Sequence, residues 1–136
     1  MNVTGPIVLV EDDEDDIFLI TTALDELRLE NSVKVFRNGH DALDYLQETN
    51  PTPVVIISDV NMPVMNGFEL LDALLTHRGL GNTLPPFVFL TTSDPSAFQS
   101  AGMDSDRIAV FTKGYSYKEI SETLLSILEY SKSGLK

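Results

Sequence analysis

The sequence predicts a doubly wound α/β fold, in which a five-stranded parallel sheet carries helices on both faces. Four short apolar runs each end abruptly in polar residues, as strands that are buried on both faces do, and a fifth strand, at residues 33–36, has a polar flank. Segments with apolar residues at helical spacing separate these runs, so that strands and helices alternate. Because alternating units connect through right-handed crossovers, the strands are expected to run parallel in five βα units.

The composition describes one acidic domain. The chain has 136 residues, of which 43% are hydrophobic, and 21 acidic against 9 basic side chains give a formal net charge of −12. We expect a single domain over residues 1–136, with a core at about 5–132 and no output domain. The negative charge opposes binding to nucleic acid and to anionic membranes, and it suits divalent cations and basic partner surfaces.

The absence of cysteine and of long apolar segments excludes further classes. Without cysteine there are no disulfides, thiolate metal sites or cysteine nucleophiles. The N-terminus lacks the basic and apolar regions of a secretory signal. No run approaches the roughly 18 apolar residues of a membrane-spanning helix. A cytoplasmic location is therefore expected.

The first βα unit combines a buried strand with a strongly acidic helix start. Residues 7–10 are all apolar, and six consecutive acids follow at 11–16. Residues 17–29 then carry apolar side chains at helical spacing. Since the helix dipole favours negative charge at its N-terminus, capping and solvation account for the acids at 14–16. They account less well for the first two acids, which directly follow a strand.

The second and third units repeat this order. A strand at residues 33–36 leads through an Asn-Gly turn into a helix at 40–47. Two prolines end that helix before the central strand at 54–58, which contains four β-branched residues in succession. A loop stiffened by proline and a turn at Gly67 then lead into a helix at 68–75.

The fourth and fifth units are shorter but follow the same pattern. An apolar strand at residues 87–90 precedes a short helix at 94–101, which an aspartate as N-cap and a proline at the first helical position introduce. A strand at 108–111 follows. The last helix, at 116–131, opens with a serine and, three residues later, a glutamate, which together form a capping box.

Polar side chains follow four of the five predicted strands directly. Because the carboxyl ends of parallel strands lie at one edge of the sheet, which is where such folds bind ligands, we expect these side chains to converge. The set consists of Glu11, Asp12, Asp59, Thr91 and Lys113. Coincidence explains the position of any one of them, but it explains the position of all five poorly.

This set suits phosphoryl transfer. Three neighbouring carboxylates repel one another, and Mg²⁺, which prefers hard oxygen ligands, relieves that repulsion. An ammonium and a hydroxyl group, on Lys113 and Thr91, can stabilise the charge on a transferring phosphoryl group. A carboxylate can itself be the nucleophile and form an acyl phosphate. The hypothesis is therefore that Asp59 is phosphorylated in a Mg²⁺-dependent step.

Four motifs in order resemble the receiver domain of two-component response regulators over nearly the whole chain. They are VEDD after the first strand, SDVNMPVMNG after the third, LTTS after the fourth and FTK after the fifth. The resemblance implies a flavodoxin-like (βα)₅ domain. It also implies that phosphate arrives from a sensor histidine kinase or a histidine phosphotransfer protein, and that the signal leaves through a downstream protein target or a homodimer.

The resemblance also implies a role for each matching residue. Asp59 is implied to be the phosphoacceptor, Thr91 the switch hydroxyl and Lys113 the ionic partner of the phosphoryl group. The implied metal ligands are Glu11, Asp12, Asp59 and the backbone carbonyl of Asn61. Such a domain is not an enzyme acting on other substrates, although it catalyses its own phosphoryl transfer and a slow autodephosphorylation. The acidic opening, the RNGHDALDYL segment and the TTS sequence look most like the small regulators found beside phytochrome-type kinases.

The sequence departs from the family pattern at three positions. An aromatic residue usually lies three positions before the lysine, but this chain has Val110 there, and Phe111 is expected on the opposite face of the strand. This puts in doubt the usual coupling between phosphorylation and the surface formed by the fourth and fifth strands. Gly114 replaces a proline after Lys113, so that a trans bond or a mobile loop is expected. Thr92 replaces a smaller residue and is expected to narrow access to the acyl phosphate.

Two alternatives belong to other functional classes. The chain would be a phosphorylation-independent protein-interaction module if the changes at Val110 and Gly114 disabled the switch, although the complete acid set, Thr91 and Lys113 argue against this. It would be a Mg²⁺-dependent phosphohydrolase if the acyl phosphate formed from small molecules. Such enzymes commonly carry an acid two residues after the nucleophile, a position that Asn61 occupies here.

Overall fold

Five parallel strands form a single sheet in the computed structural model, which describes residues 5–48, 52–76, 84–92 and 107–133. In chain order the strands are β1 (Ile7–Val10), β2 (Val33–Phe36), β3 (Val55–Ser58), β4 (Phe87–Thr91) and β5 (Ile108–Thr112). Their order across the sheet is β2-β1-β3-β4-β5. This confirms the predicted doubly wound sheet, and each strand end lies within one residue of its predicted position.

Helices cover both faces of the sheet, as predicted. The described helices are α1 (Glu14–Glu26), α2 (Gly39–Gln47), α3 (Gly67–Thr76) and α4 (Tyr117–Ser133). α1 and α4 pack together on one face, and α2 and α3 pack together on the other. The helix predicted at 94–101 lies outside the described residues. Within the described ranges, no helix is both long and apolar enough to cross a membrane.

Alternation of side chains along β1 explains why this strand is apolar throughout. In β1, Ile7 and Leu9 point into the core beneath α1 and α4, whereas Val8 and Val10 point into the core beneath α2 and α3. All four side chains are at most 1% exposed. Because β1 is buried on both faces, apolar side chains occupy its whole length, and polar residues begin where it ends.

α1 ends three residues earlier than the sequence predicted. Its N-cap is Asp13, whose carboxylate accepts hydrogen bonds from the backbone N–H groups of Asp15 and Asp16, and its C-cap is Leu27. Arg28 then adopts a positive φ of 53°, which ends the helix. Leu29 is 38% exposed, so that it does not continue the buried stripe as its apolar character suggested.

The sheet order places the predicted site at a topological switch point. The chain leaves β1 on one side to form β2 and crosses to the other side to form β3, and ligands of doubly wound sheets bind where such connections diverge. Val10 is paired with Ser58. The following residues, Glu11 and Asp59, therefore emerge side by side, and the Asp59 N–H donates to the Val10 carbonyl over 2.9 Å.

Gly67 allows α3 to begin directly against the end of β3. Its N–H donates to the Val60 carbonyl over 2.8 Å, and a Cβ atom at this position would clash with the Asp59 carbonyl oxygen. Asn66 and Glu69 cap the helix reciprocally, with hydrogen bonds of 2.8 and 2.9 Å. These contacts fix the C-terminal end of the loop between β3 and α3, which begins with the predicted phosphoacceptor.

Replacement of Gly67 by alanine is expected to destabilise the fold by about 1 to 3 kcal/mol, because the new methyl group overpacks the contact with the Asp59 backbone. Urea denaturation measures this change in the free energy of unfolding. Asp72→Ala, at an exposed position of the same helix, is the matched control and should change stability by no more than about 0.5 kcal/mol. Equal stability of the two variants would contradict the close approach.

Candidate functional site

Three carboxylates meet at the edge of the sheet. Glu11 and Asp12 follow β1 and Asp59 follows β3, and each offers an oxygen that lies within 4.8 Å of those of the other two. Glu11 is buried, Asp12 is exposed and Asp59 is intermediate. The structure therefore brings together the three acids that the sequence predicted, with one side of the group open to solvent.

Asp59 is held in place yet remains accessible. One oxygen of its carboxylate accepts a hydrogen bond from the Val60 N–H over 2.8 Å. Its backbone carbonyl accepts a hydrogen bond from the Ser58 hydroxyl over 2.7 Å. The side chain is 16% exposed, so an incoming group can reach it.

Lys113 inserts its ammonium group between three carboxylates. It follows β5, and its backbone N–H donates to the Thr91 carbonyl over 2.6 Å. The Nζ atom lies 2.8 Å from Glu11 Oε1 and 2.8 Å from Asp16 Oδ2, but 3.7 Å from Asp59 Oδ1. Lys113 thus joins the site as predicted. Its short contacts, however, are with Glu11 and Asp16, and the contact with the predicted phosphoacceptor is longer.

The charges at the site alter two pKa values. Burial raises the pKa of Glu11 to about 7, and although the hydrogen bond from Lys113 opposes this change, the negative charge of Asp59 adds to it. Burial alone would lower the pKa of Lys113. Its hydrogen bonds to Asp16 and Glu11 outweigh burial, so that the pKa lies above its usual value and the ammonium stays charged.

Asp16 is the residue that sequence reasoning missed. The sequence predicts that it belongs to the capped, solvated start of a helix, but its carboxylate binds Lys113 and its side chain is only 30% exposed. A signal was present in the sequence. Asp16 lies four residues before Ile20 and eight before Leu24, both buried, so it extends the inward-facing stripe of α1 by one turn.

The remaining predicted residues surround this group. Thr91 ends β4 and is 3% exposed. Asn61 lies two residues after Asp59 in the same loop and is exposed, as is Thr92. The structure places these residues at the same edge of the sheet. Their chemical roles stay predictions.

The contacts of two of the three departures from the family pattern, Val110 and Gly114, are visible in the structure. Val110 packs with the core beneath α2 and α3, whereas the Phe111 ring packs 6.3 Å from the ring of Tyr130 in α4, which confirms that the two lie on opposite faces. The described residues contain no cis peptide bond, so the bond before Gly114 is trans. A Cβ atom at Gly114 would clash with the Cβ of Glu119, and this close packing explains why a glycine stands there.

Glu119 belongs to the predicted capping box of the last helix. Its N–H donates to the Ser116 hydroxyl over 3.1 Å, and its carboxylate accepts from the Ser116 and Tyr115 N–H groups over 3.2 and 2.9 Å. This confirms the capping box. It also ties the start of α4 to Tyr115, two residues after Lys113.

The acid group fits a hard divalent cation. Its ligand atoms are carboxylate oxygens close enough to share one ion, and these are the ligands that Mg²⁺ and Mn²⁺ prefer. Burial, together with the negative charge of Asp59, raises the pKa of Glu11, so that its charged form is disfavoured in the absence of a cation. A bound cation would favour the charged form.

Comparison with known proteins identifies a family. The profile of the response regulator receiver domain matches residues 7–125. The chain is 32% identical over 114 residues to the probable transcriptional regulator ycf29 of Pyropia yezoensis. That alignment covers 82% of this chain and 44% of the relative, so the chain spans less than half of that relative's length.

Solved structures agree with the sequence comparison. The structure resembles the phosphorylated cyanobacterial phytochrome response regulator RcpA, with a TM-score of 0.77 and 27% identity, over 96% of each chain. It also resembles the Mn²⁺-bound form of the response regulator Rcp1, with a TM-score of 0.71 and 27% identity, over 91% of each chain. The predicted similarity to regulators of the phytochrome type is thereby confirmed.

The raised pKa of Glu11 predicts that the metal-free protein loses stability as the pH rises. Between the ordinary value of 4.5 and about 7, the folded state binds more protons than the unfolded state, so the free energy of unfolding falls through this window. The expected loss from Glu11 is on the order of 2 to 3 kcal/mol. Urea denaturation at pH 5 and pH 7.5 in the presence of EDTA measures it.

Glu11→Gln should remove this part of the pH dependence, because an amide does not titrate. Glu14→Gln, at an exposed residue of the neighbouring helix turn, is the matched control and should retain it. The same pH dependence in both variants would show that Glu11 titrates normally.

Proposed function

Because the chain belongs to the response regulator receiver family, we propose that it is a signalling switch that is phosphorylated on Asp59. The observation that carries the proposal is the arrangement around this carboxylate. Asp59 is accessible, its oxygen lies 3.7 Å from the Lys113 ammonium, and the carboxylates of Glu11 and Asp12 lie within 4.8 Å. A nucleophile, a cation and a candidate metal site therefore share one edge of the sheet.

The phosphoryl donor is a phosphohistidine of a sensor histidine kinase or of a histidine phosphotransfer protein. An Asp59 oxygen attacks the phosphorus atom, the new P–O bond forms as the P–N bond breaks, and the imidazole nitrogen leaves with the electron pair. Lys113 and the Thr91 hydroxyl stabilise the charge on the phosphoryl oxygens. Water later hydrolyses the acyl phosphate slowly, which regenerates Asp59 and releases inorganic phosphate.

Glu11, Asp12, Asp59 and the Asn61 carbonyl would hold Mg²⁺. When bound, the ion neutralises charge on the carboxylates and on the phosphoryl oxygens. The protein itself contributes the fixed positions of its ligands. Asp59 is held by the Val60 N–H, and Glu11 is fixed by burial and by its 2.8 Å contact with Lys113.

The output is a change in protein binding. Phosphorylation adds a charge of about −1.5 to −2 at Asp59, which draws Lys113 and Thr91 towards the phosphoryl group. The surface around these residues then differs between the two states, and a partner protein reads the difference. The similarity to phytochrome regulators supports a phytochrome-type kinase as the source of the signal.

Incubation with Mg²⁺ and phosphoramidate or acetyl phosphate is expected to add one phosphoryl group, which intact mass spectrometry detects. Asp59→Asn should abolish the addition, because the amide is not a nucleophile, and EDTA should abolish it in the wild type. Asp41→Asn, which alters an exposed carboxylate in α2, is the matched control and should be modified normally.

Two results would contradict the proposal. Equal modification of wild type and Asp59→Asn would place the phosphate elsewhere. If phosphoramidate, acetyl phosphate and a sensor histidine kinase all failed to modify the wild type, the result would favour a protein-binding module that works without phosphorylation.

Thr92→Ala is expected to accelerate dephosphorylation about threefold, equivalent to ~0.7 kcal/mol of barrier height, because the smaller side chain opens the approach of water to Asp59. The decay of the phosphorylated mass after donor removal measures the rate. Thr112→Ala, at the exposed end of the neighbouring strand, is the control. Unchanged decay in Thr92→Ala would show that this side chain does not limit access.

A further inference from the structure

The ammonium group of Lys113 contacts its three carboxylate neighbours at unequal distances. It has three N–H donors, and two short contacts of 2.8 Å go to Glu11 and Asp16. Asp59 lies at 3.7 Å, beyond hydrogen-bond distance. In the unphosphorylated protein, therefore, Lys113 is held mainly by residues other than the proposed phosphoacceptor.

The structure offers little space for the Lys113 ammonium on the inner side of these carboxylates. The cavity beside it has a volume of only about 10 Å³, and its lining includes the apolar side chains of Ile20, Leu90 and Ile120 as well as Asp16 and Thr123. Moving the charged ammonium group from the sheet edge to a position among these apolar side chains would be unfavourable in free energy. The small volume leaves the ammonium at the edge of the sheet, where its three carboxylate contacts lie.

Glu11 and Asp16 would pay different energetic penalties if they lost the contact with the Lys113 ammonium. The side chain of Glu11 is 2% exposed, so a charged Glu11 without Lys113 would be buried and unpaired. The side chain of Asp16 is 30% exposed and can exchange the ammonium for water. If Lys113 moves towards Asp59, Asp16 is thus the partner that releases it.

We propose that Asp16 is a positioning residue that restrains Lys113 and competes with the phosphoryl group for it. This inference rests on the proposed phosphorylation of Asp59. In the unphosphorylated state Asp16 keeps the ammonium 3.7 Å from Asp59, and the added charge of the phosphoryl group overcomes this restraint. Asp16 thereby sets how strongly the protein favours its unphosphorylated state.

The test is the affinity for beryllofluoride, a phosphoryl analogue, in the presence of Mg²⁺, measured by ¹⁹F NMR titration of the full chain. Asp16→Asn should bind it about three- to tenfold more tightly than wild type, because one competitor for Lys113 has lost its charge. Asp15→Asn removes the same charge from the adjacent, exposed residue of the same helical turn. It should bind beryllofluoride nearly as the wild type does.

A spectroscopic measurement separates this role from a merely structural one. The Lys113 ammonium signal, recorded on protein with ¹⁵N-labelled lysine and assigned by its loss in Lys113→Met, should shift when beryllofluoride binds to the wild type. In Asp16→Asn without ligand, the signal should already lie part of the way towards the bound position. Asp16→Glu, which restores the carboxylate, should return both the signal and the affinity towards wild type.

The outcomes are distinguishable. Equal affinities of Asp16→Asn and Asp15→Asn, or weaker binding by Asp16→Asn, would overturn the restraint while leaving the phosphoacceptor role intact. Failure of the wild type to bind beryllofluoride, together with failure to accept phosphate, would overturn the proposed function itself.

Discussion

One ammonium group among three carboxylates is the interaction on which the rest of the site depends. Glu11 directly follows β1, Asp16 lies in the first turn of α1, and Asp59 follows β3. Without Lys113 their mutual repulsion would act at a largely buried edge of the sheet. Burial makes the arrangement strong and also costly, because each charge there needs a partner. Such a site responds to a new charge by redistributing its partners, and this is the behaviour that a phosphorylation switch requires.

The backbone, rather than the side chains, creates this convergence. The pairing of Val10 with Ser58 and of Thr91 with Thr112 brings the ends of four strands to one edge. Backbone hydrogen bonds from Asp59 to β1 and from Lys113 to β4 then fix the residues that follow. Since strand register is set by burial on both faces, the large core determines the geometry of the small polar site.

The sequence predicted those parts of the fold that depend on burial, and it missed parts that depend on local geometry. Strand positions and the converging set were predictable because apolar runs end where strands end. The end of α1 was not, because Arg28 leaves the helix in a left-handed conformation that composition does not reveal. The partner of Lys113 was missed because an acid in the first helical turn usually serves the helix dipole, and only the spacing of Asp16 from Ile20 indicates that it points inward.

The departures from the family pattern acquire a physical meaning once the contacts of Lys113 are known. Phe111, two residues before Lys113 in the sequence, packs against Tyr130 of α4. Gly114, on the other side of Lys113, allows the capping glutamate of α4, Glu119, to pack directly against the backbone. Asp16 joins the same lysine to α1, and α1 and α4 share one hydrophobic core. In the proposed switch, Asp16 therefore links Lys113 to the face formed by α1 and α4, whereas Val110 packs beneath α2 and α3 on the opposite face.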